Sequence, residues 1–273
     1  MTTGLAVLRP QSLRSFNLTA VATALIVLSY LLGSELAPWS PKRGAGLLFG
    51  FAALFLFVFE MAYAGRRASV WPLRTARRWL QAHVYLGIVA FAAVVAHSGF
   101  RLPGGGMGWW LLGLSFWTTA SGVLGVLLQK WVPVALSDGL RVEALYERIP
   151  ELLGKTLAEA DEVARSAGQV LRNFYTRDVR PSLAEPRPSW SYLLDVRRGR
   201  ERTLEPFRTI ARFVGEEDQE KVSDLLTLYT EKLELDAQAS LQGILRSWVA
   251  LHVPPAAVLM ALVVVHVFTW VYY

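Results

Sequence analysis

Two stretches decide the fold: Leu80–Phe100 reads LQAHVYLGIVAFAAVVAHSGF, and Trp248–Tyr272 reads WVALHVPPAAVLMALVVVHVFTWVY. Each is close to the roughly 20 apolar residues that a helix needs to cross a bilayer. Three further stretches of this kind lie at Phe16–Leu36, Gly46–Ala64 and Gly108–Gln129. We therefore predict an all-α integral membrane protein, a bundle of five transmembrane helices.

The composition agrees with a membrane protein and restricts its cofactor chemistry. Of 273 residues, 53% are hydrophobic and only 18% are charged, and none is cysteine. Without cysteine the chain has no disulfides, no thiolate-held iron–sulfur clusters and no covalently attached c-type haem. Imidazole, carboxylate and thioether groups remain as metal ligands.

The net charge of +6 could suggest nucleic acid as a partner, but its distribution does not. Residues 130–247 carry 18 of the 28 Lys and Arg and 20 of the 22 Asp and Glu, so the basic excess belongs to the membrane part. Basic residues there are unevenly placed: seven lie on one side of the spans, and Lys42, Arg43 and Arg101 lie on the other. Short loops rich in Lys and Arg are typical of the cytoplasmic face of a membrane protein. Because this role accounts for the basic excess, we expect no nucleic acid as a partner.

This asymmetry predicts a multi-pass protein of the cell's inner (cytoplasmic) membrane. The N-terminus would be cytoplasmic and the C-terminus outside. We divide the chain into an N-terminal bundle of four spans (1–129), a domain between the fourth and fifth spans (130–247) and the fifth span (248–273). The topology places the insertion at residues 130–247 in the cytoplasm. Helical spacing of apolar residues at Val142–Gly168 and Lys221–Leu241 predicts that it is a helical domain.

The chain's four histidines fall into two equal pairs. His83 and His97 lie on the third span, and His252 and His266 lie on the fifth, fourteen residues apart in each case. Fourteen residues of helix turn through about 1,400° and rise about 21 Å, so each pair shares one face near opposite membrane surfaces. Both helices run in the same direction. His83 should therefore be level with His252, and His97 with His266.

Two facing imidazole pairs suit two b-type haems, because haem iron takes one axial ligand from each side. On the third span, Gly87, Ala90 and Val94 leave room for a ring between the two levels. Taken singly, each histidine would be explained by hydrogen bonding or by a place at the interface. A metal-transport site would need histidines that converge on one cation, whereas these pairs lie a bilayer's depth apart.

The fifth span contains one irregularity, Pro254 and Pro255 directly after His252. Proline inside a helix removes a hydrogen-bond donor and crowds the preceding turn. We expect the pair to open the helix and to leave His252 at a helix cap.

The membrane half resembles the ferric reductase and NADPH oxidase transmembrane superfamily, and more loosely the cytochrome b of quinol-oxidising complexes. These families hold two b haems by paired histidines on two parallel helices. The resemblance implies His83 and His252 for a cytoplasmic-side haem and His97 and His266 for an outer haem. The flavin and nicotinamide domain of the reductases has no counterpart here, so we expect an electron-transfer subunit rather than a complete reductase.

Charged residues near these histidines have two interpretations each. Arg77, Arg78 and Arg101 could bind haem propionates, since guanidinium matches carboxylate, or could act only in setting the topology. Glu60 lies inside the second span. It could feed protons to a quinone, or it could pair with Arg66 or Arg67.

Together these patterns predict transmembrane electron transfer through two haems within a larger redox complex. Expected partners are the lipid bilayer, a cytochrome or iron–sulfur subunit and, as one open route, quinone. Two alternatives remain: a non-redox anchor or scaffold that presents residues 130–247, and direct reduction of an external metal or oxygen.

Overall fold

The fold is helical throughout the described part of the chain. The computed structural model describes residues 13–36, 38–68, 76–137, 146–185 and 204–273, with only the backbone at 63–68, 76–78 and 133–137. No strand occurs in these ranges, which confirms the predicted all-α class. The chain forms two compact units, which we call the membrane unit (Met1–Leu127 with Trp248–Tyr273) and the insertion unit (Leu128–Ser247).

Five helices in the described ranges are long and apolar enough to cross a membrane, as predicted. They are α1 (Leu13–Leu36), α2 (Gly44–Ala68), α3 (Ala76–His97), α4 (Gly106–Ser137) and α8 (Glu216–Tyr272). Many of their large apolar side chains point outward, as lipid contact requires. These helices are those of a membrane protein, whereas the predicted cytoplasmic location of residues 130–247 stays a prediction.

Helix α3 packs against both α1 and α2. Ala90, Ala93 and Ala96 on α3 are almost completely buried. Because an alanine side chain is a single methyl group, neighbouring backbones can approach α3 closely at these positions. This packing restricts the position of the helix that carries His83 and His97.

The chain reverses directly after His97. Gly99 has a φ of +69°, a left-handed conformation that favours glycine, and a Cβ at this residue would lie 2.7 Å from Cδ1 of Trp39. The Tyr30 hydroxyl on α1 donates a 2.9 Å hydrogen bond to the Gly99 carbonyl. The last turn of α3, including His97, is thereby tied to α1.

The expected opening of the fifth span at the proline pair is wrong. Helix α8 continues through Pro254 and Pro255, so His252 lies inside a helix rather than at a cap. Pro255 cannot donate to the Leu251 carbonyl four residues earlier. The Trp117 indole on α4 donates to that carbonyl instead, at 2.9 Å. A neighbouring helix thus replaces a hydrogen bond that proline removes, as membrane helices require.

The insertion unit has its own hydrophobic core. Its described elements are a short 3₁₀ turn (Tyr146–Arg148), α5 (Ile149–Arg165), α6 (Gln169–Phe174), a π-helical turn (Tyr175–Val179), α7 (Arg180–Ala184), a helical stretch at 204–210 and residues 216–247 of α8. Leu171, Leu183 and Leu225 are fully buried in the core. The predicted helices are confirmed over Tyr146–Arg165 of the first stretch, as a 3₁₀ turn and α5, and throughout Lys221–Leu241.

Hydrogen bonds between an aspartate, a tyrosine and an arginine connect three helical elements of this unit. Asp161 on α5 accepts hydrogen bonds from the Tyr175 hydroxyl at 2.6 Å and from Arg180 Nε at 2.8 Å. The Arg180 guanidinium, together with the Tyr175 hydroxyl, holds the pKa of Asp161 below its usual value. Burial and the neighbouring carboxylate raise the pKa of Tyr175.

Trp117→Phe should destabilise the membrane unit, because it leaves the Leu251 carbonyl without a donor. We expect a loss of about 1 kcal/mol in the free energy of unfolding, the usual scale of one hydrogen bond within a membrane protein. Trp110→Phe is the matched control, since Trp110 is an exposed residue of the same helix. Equal unfolding midpoints for the two variants in detergent would contradict the role given to Trp117.

Asp161→Asn should destabilise α5–α7 at neutral pH and remove an acid-dependent loss of stability. A carboxyl whose pKa is lowered in the folded state stabilises above its unfolded pKa of about 3.9, and this stabilisation is lost as pH falls through the folded value. Hydrogen exchange of residues 149–184 in the full chain, compared at neutral pH and at about pH 3, measures the effect. Asp224→Asn, at an exposed position on α8, should keep the wild-type pH dependence.

Candidate functional site

The membrane unit brings the four histidines together as two pairs. The ring centroids of His83 and His252 lie 6.3 Å apart with an interplanar angle of 85°. Those of His97 and His266 lie 6.4 Å apart at 81°. Because the lower-numbered residues pair with each other and the higher-numbered ones do likewise, α3 and α8 run in the same direction at the site.

These separations suit a metal between each pair of rings. With metal–nitrogen bonds of about 2 Å and about 1.1 Å from each ring nitrogen to its ring centre, two imidazoles on opposite sides of one metal would have centroids about 6.2 Å apart. A direct edge-to-face ring contact also falls within about 4.5–7 Å. The separation therefore fits both a metal between the rings and a direct contact of the rings. The hydrogen bonds of the rings give further information.

His97 is held by a backbone carbonyl of α2. Its Nδ1 lies 2.8 Å from the Gly46 oxygen, and since a carbonyl only accepts, Nδ1 carries the proton. The lone pair is then on Nε2. Metal-binding histidines commonly have this arrangement, in which an outer hydrogen bond fixes the tautomer and orients the ring.

His252 is held by the Ser121 hydroxyl on α4. The distance from His252 Nδ1 to Ser121 Oγ is 2.8 Å, and the same hydroxyl donates its proton to the Thr118 carbonyl at 3.2 Å. Ser121 Oγ therefore accepts from Nδ1–H, which again leaves the lone pair on Nε2. The Trp248 ring stacks on the His252 ring and its indole donates to the Ser121 carbonyl at 2.7 Å, so three residues fix this imidazole.

His83 is held by a carboxylate of α2. Its Nδ1 contacts Glu60 Oε2, and both side chains are largely buried. An ionisable group inside a span is costly unless it is paired, and it usually has a function. Glu60 thus has its partner in His83, whereas the side chains of Arg66 and Arg67, the partners proposed from the sequence, lie outside the described residues.

A cavity of about 430 Å³ adjoins the second pair. His97 and His266 both line it, together with small or apolar residues of α2, α3, α4 and α8 that include Gly50, Ala53, Ser115 and Val263. Ligand-binding cavities are commonly of this size and lining. Among the described residues, no hydrogen-bond partner of the His266 ring is found, and the ring lines the cavity.

Two glycines allow the rings to lie where they do. A Cβ on Gly50 would come within 2.8 Å of Cε1 and Nδ1 of His97, closer than the ring can accept. A Cβ on Gly122 would be 3.5 Å from Cε1 of His252, an ordinary contact. The position of the His97 ring therefore depends on Gly50.

Of the three arginines that could bind haem propionates, the structure describes the side chain of one. The side chains of Arg77 and Arg78 lie outside the described residues, and Arg101 is exposed just after α3. Arg101 does not line the cavity, but Lys42 does. Lys42, which the sequence analysis used only for topology, is thus an exposed cation that lines the same cavity as His97 and His266.

The donor set fits haem. Gly46 and Ser121 engage the Nδ1 atoms of His97 and His252, and each pair of imidazoles would give a porphyrin iron two nitrogen donors. The described residues contain no cluster of three or more His, Asp or Glu that could hold a bare metal ion. Comparison with protein-family models, with curated proteins and with solved structures finds no match.

Sequence reasoning missed the groups that hold the rings. Glu60 gave a signal, since it is a carboxylate inside a span, but its partner was assigned to the nearest arginines. Ser121 and the Gly46 carbonyl gave none, because a serine in a span and a backbone oxygen are ordinary until the fold places them beside a ring.

Gly50→Ala should displace the His97 ring, because the added methyl group would lie within 2.8 Å of it, and should weaken any haem binding at the His97–His266 pair. Titration of the purified chain with haem, followed by absorbance, measures this binding. Gly113→Ala is the matched control, a helical glycine at an exposed position of α4 whose Cβ would meet nothing within 4 Å. Equal haem contents in the two variants would argue against this account of the ring.

Proposed function

We propose that this protein binds two b-type haems, one at His83 and His252 and one at His97 and His266, and carries electrons across a membrane. The observation that supports this most directly is the repeated geometry of the two pairs: centroid separations of 6.3 and 6.4 Å. The Nδ1 contacts of His83, His97 and His252 support it further.

The residues of the chain prepare two sites at different depths. Fourteen residues of α3 separate His83 from His97, a rise of about 21 Å along the helix. Haem iron, when bound, accepts and gives up one electron at a time. The Nδ1 contacts orient the imidazole rings before haem binds. The apolar side chains of the spans would exclude water from the region between the two pairs.

The protein's place in a larger system follows from the same features. We propose that it is the cytochrome b subunit of a membrane redox complex, with residues 130–247 on the cytoplasmic side and the C-terminus outside. The basic loops support this orientation. A cytochrome or iron–sulfur subunit, or a membrane quinone, would supply or remove electrons at either end.

A haem count on the purified chain tests the proposal. The pyridine haemochrome assay and a reduced-minus-oxidised spectrum should give two b haems per chain. No haem would favour the competing function, an anchor or scaffold that presents the insertion unit, and one haem per chain would contradict the two-site proposal.

Single substitutions test the pairing. His97→Ala and His266→Ala should each remove about half of the haem, and the same half, because each deletes one axial ligand of a common site. His83→Ala and His252→Ala should remove the other half. Met260→Leu, at a half-buried residue of α8 between the two histidines, is the control and should retain both haems. Equal loss from both sites in the His97 variant would refute the pairing.

A further inference from the structure

The two histidine pairs have the same ligands but opposite neighbouring charges. Glu60 contacts Nδ1 of His83 from within the α2 span. Lys42 lines the cavity that His97 and His266 share, and it is the charged residue among the described lining. At the second site, His97 itself is held by a neutral backbone carbonyl, that of Gly46.

The carboxylate favours the oxidised state of its site. A hydrogen bond from Nδ1–H to a carboxylate makes the imidazole a stronger donor at Nε2. Ferric iron carries one more positive charge than ferrous iron, so a stronger donor and a nearby negative charge both stabilise the ferric form. The contact between Glu60 and His83 therefore lowers the reduction potential of the site to which His83 belongs.

The ammonium group has the opposite effect at the other site. A positive charge beside an iron stabilises the form with less positive charge, which is the ferrous form. Pairing of Lys42 with a propionate would act in the same direction, since it neutralises an anion next to the iron. Glu35, Arg43 and Arg101 are exposed charges near this end of the spans, as Lys42 is, but they do not line the cavity, whereas Lys42 does.

We propose that Glu60 and Lys42 set the direction of electron transfer, by making the His83–His252 site the low-potential donor and the His97–His266 site the high-potential acceptor. This inference rests on the proposed two-haem function. With haem bound at both sites, the favoured step would transfer one electron, so that the first site would be oxidised and the second reduced with no change of bonds or protons. In the predicted orientation, electrons would leave the cytoplasmic side. Glu60 and Lys42 are positioning residues that act through their charge.

The test is a spectroelectrochemical titration of the purified holoprotein and its variants, with each potential assigned by comparison with His97→Ala, which should retain only the first site. In the wild type, the His83–His252 component should have the lower potential. Glu60→Gln should raise the potential of that component alone by at least about 59 mV, a tenfold change for one electron. Glu60→Asp keeps the charge and should restore most of the difference.

Lys42→Gln should lower the potential of the His97–His266 component alone. Arg43→Gln is the matched control, an exposed neighbouring cation outside the cavity lining, and should move neither component. These measurements are separate from the haem count, which tests the proposed function itself. Two haems with the reverse order of potentials, or with no shift or equal shifts of both components in Glu60→Gln, would overturn the inference and leave the proposed function standing. If Glu60→Gln fails to retain haem, the wild-type order and the Lys42 variant still decide it.

Discussion

A histidine ring inside a membrane has two nitrogens that need partners where water is scarce. In this protein that constraint determines much of the surroundings of the site. His97 uses a carbonyl of α2, His252 uses a hydroxyl of α4, and His83 uses a carboxylate of α2. Each partner contacts the same ring nitrogen, Nδ1. Helices α2 and α4 therefore position the imidazoles carried by α3 and α8.

The geometry also depends on an unbroken α8. Two prolines within a helix would ordinarily cost several kcal/mol and change its course, which would place His252 and His266 on different faces. Here the helix continues, and Trp117 donates to the carbonyl that Pro255 leaves without a partner. Trp248 and Ser121 hold the ring of His252, two residues before Pro254. The hydrogen bonds between α4 and α8 thus preserve the fourteen-residue spacing in three dimensions.

The features that could be predicted from the sequence are those that depend on local pattern. Apolar runs of spanning length give the helices, and the equal spacing of His83, His97, His252 and His266 gives the face that each pair shares. The effect of Pro254 and Pro255 could not be predicted, because it depends on a tryptophan far away in sequence. The partner of Glu60 was missed for the same reason: nearby arginines were visible along the chain, whereas the approach of α2 to α3 was not.

Two sites with identical axial ligands would have nearly equal affinity for an electron, so any direction must come from what surrounds them. A carboxylate inside a span is costly unless it is paired. Its contact with His83 offsets part of this cost and places the charge beside one pair only. At the other site the ring partner is a backbone carbonyl, and the charge is a lysine at the cavity wall. The repeated spacing makes the two sites alike as ligands, and the unrepeated residues around them make them electrostatically different.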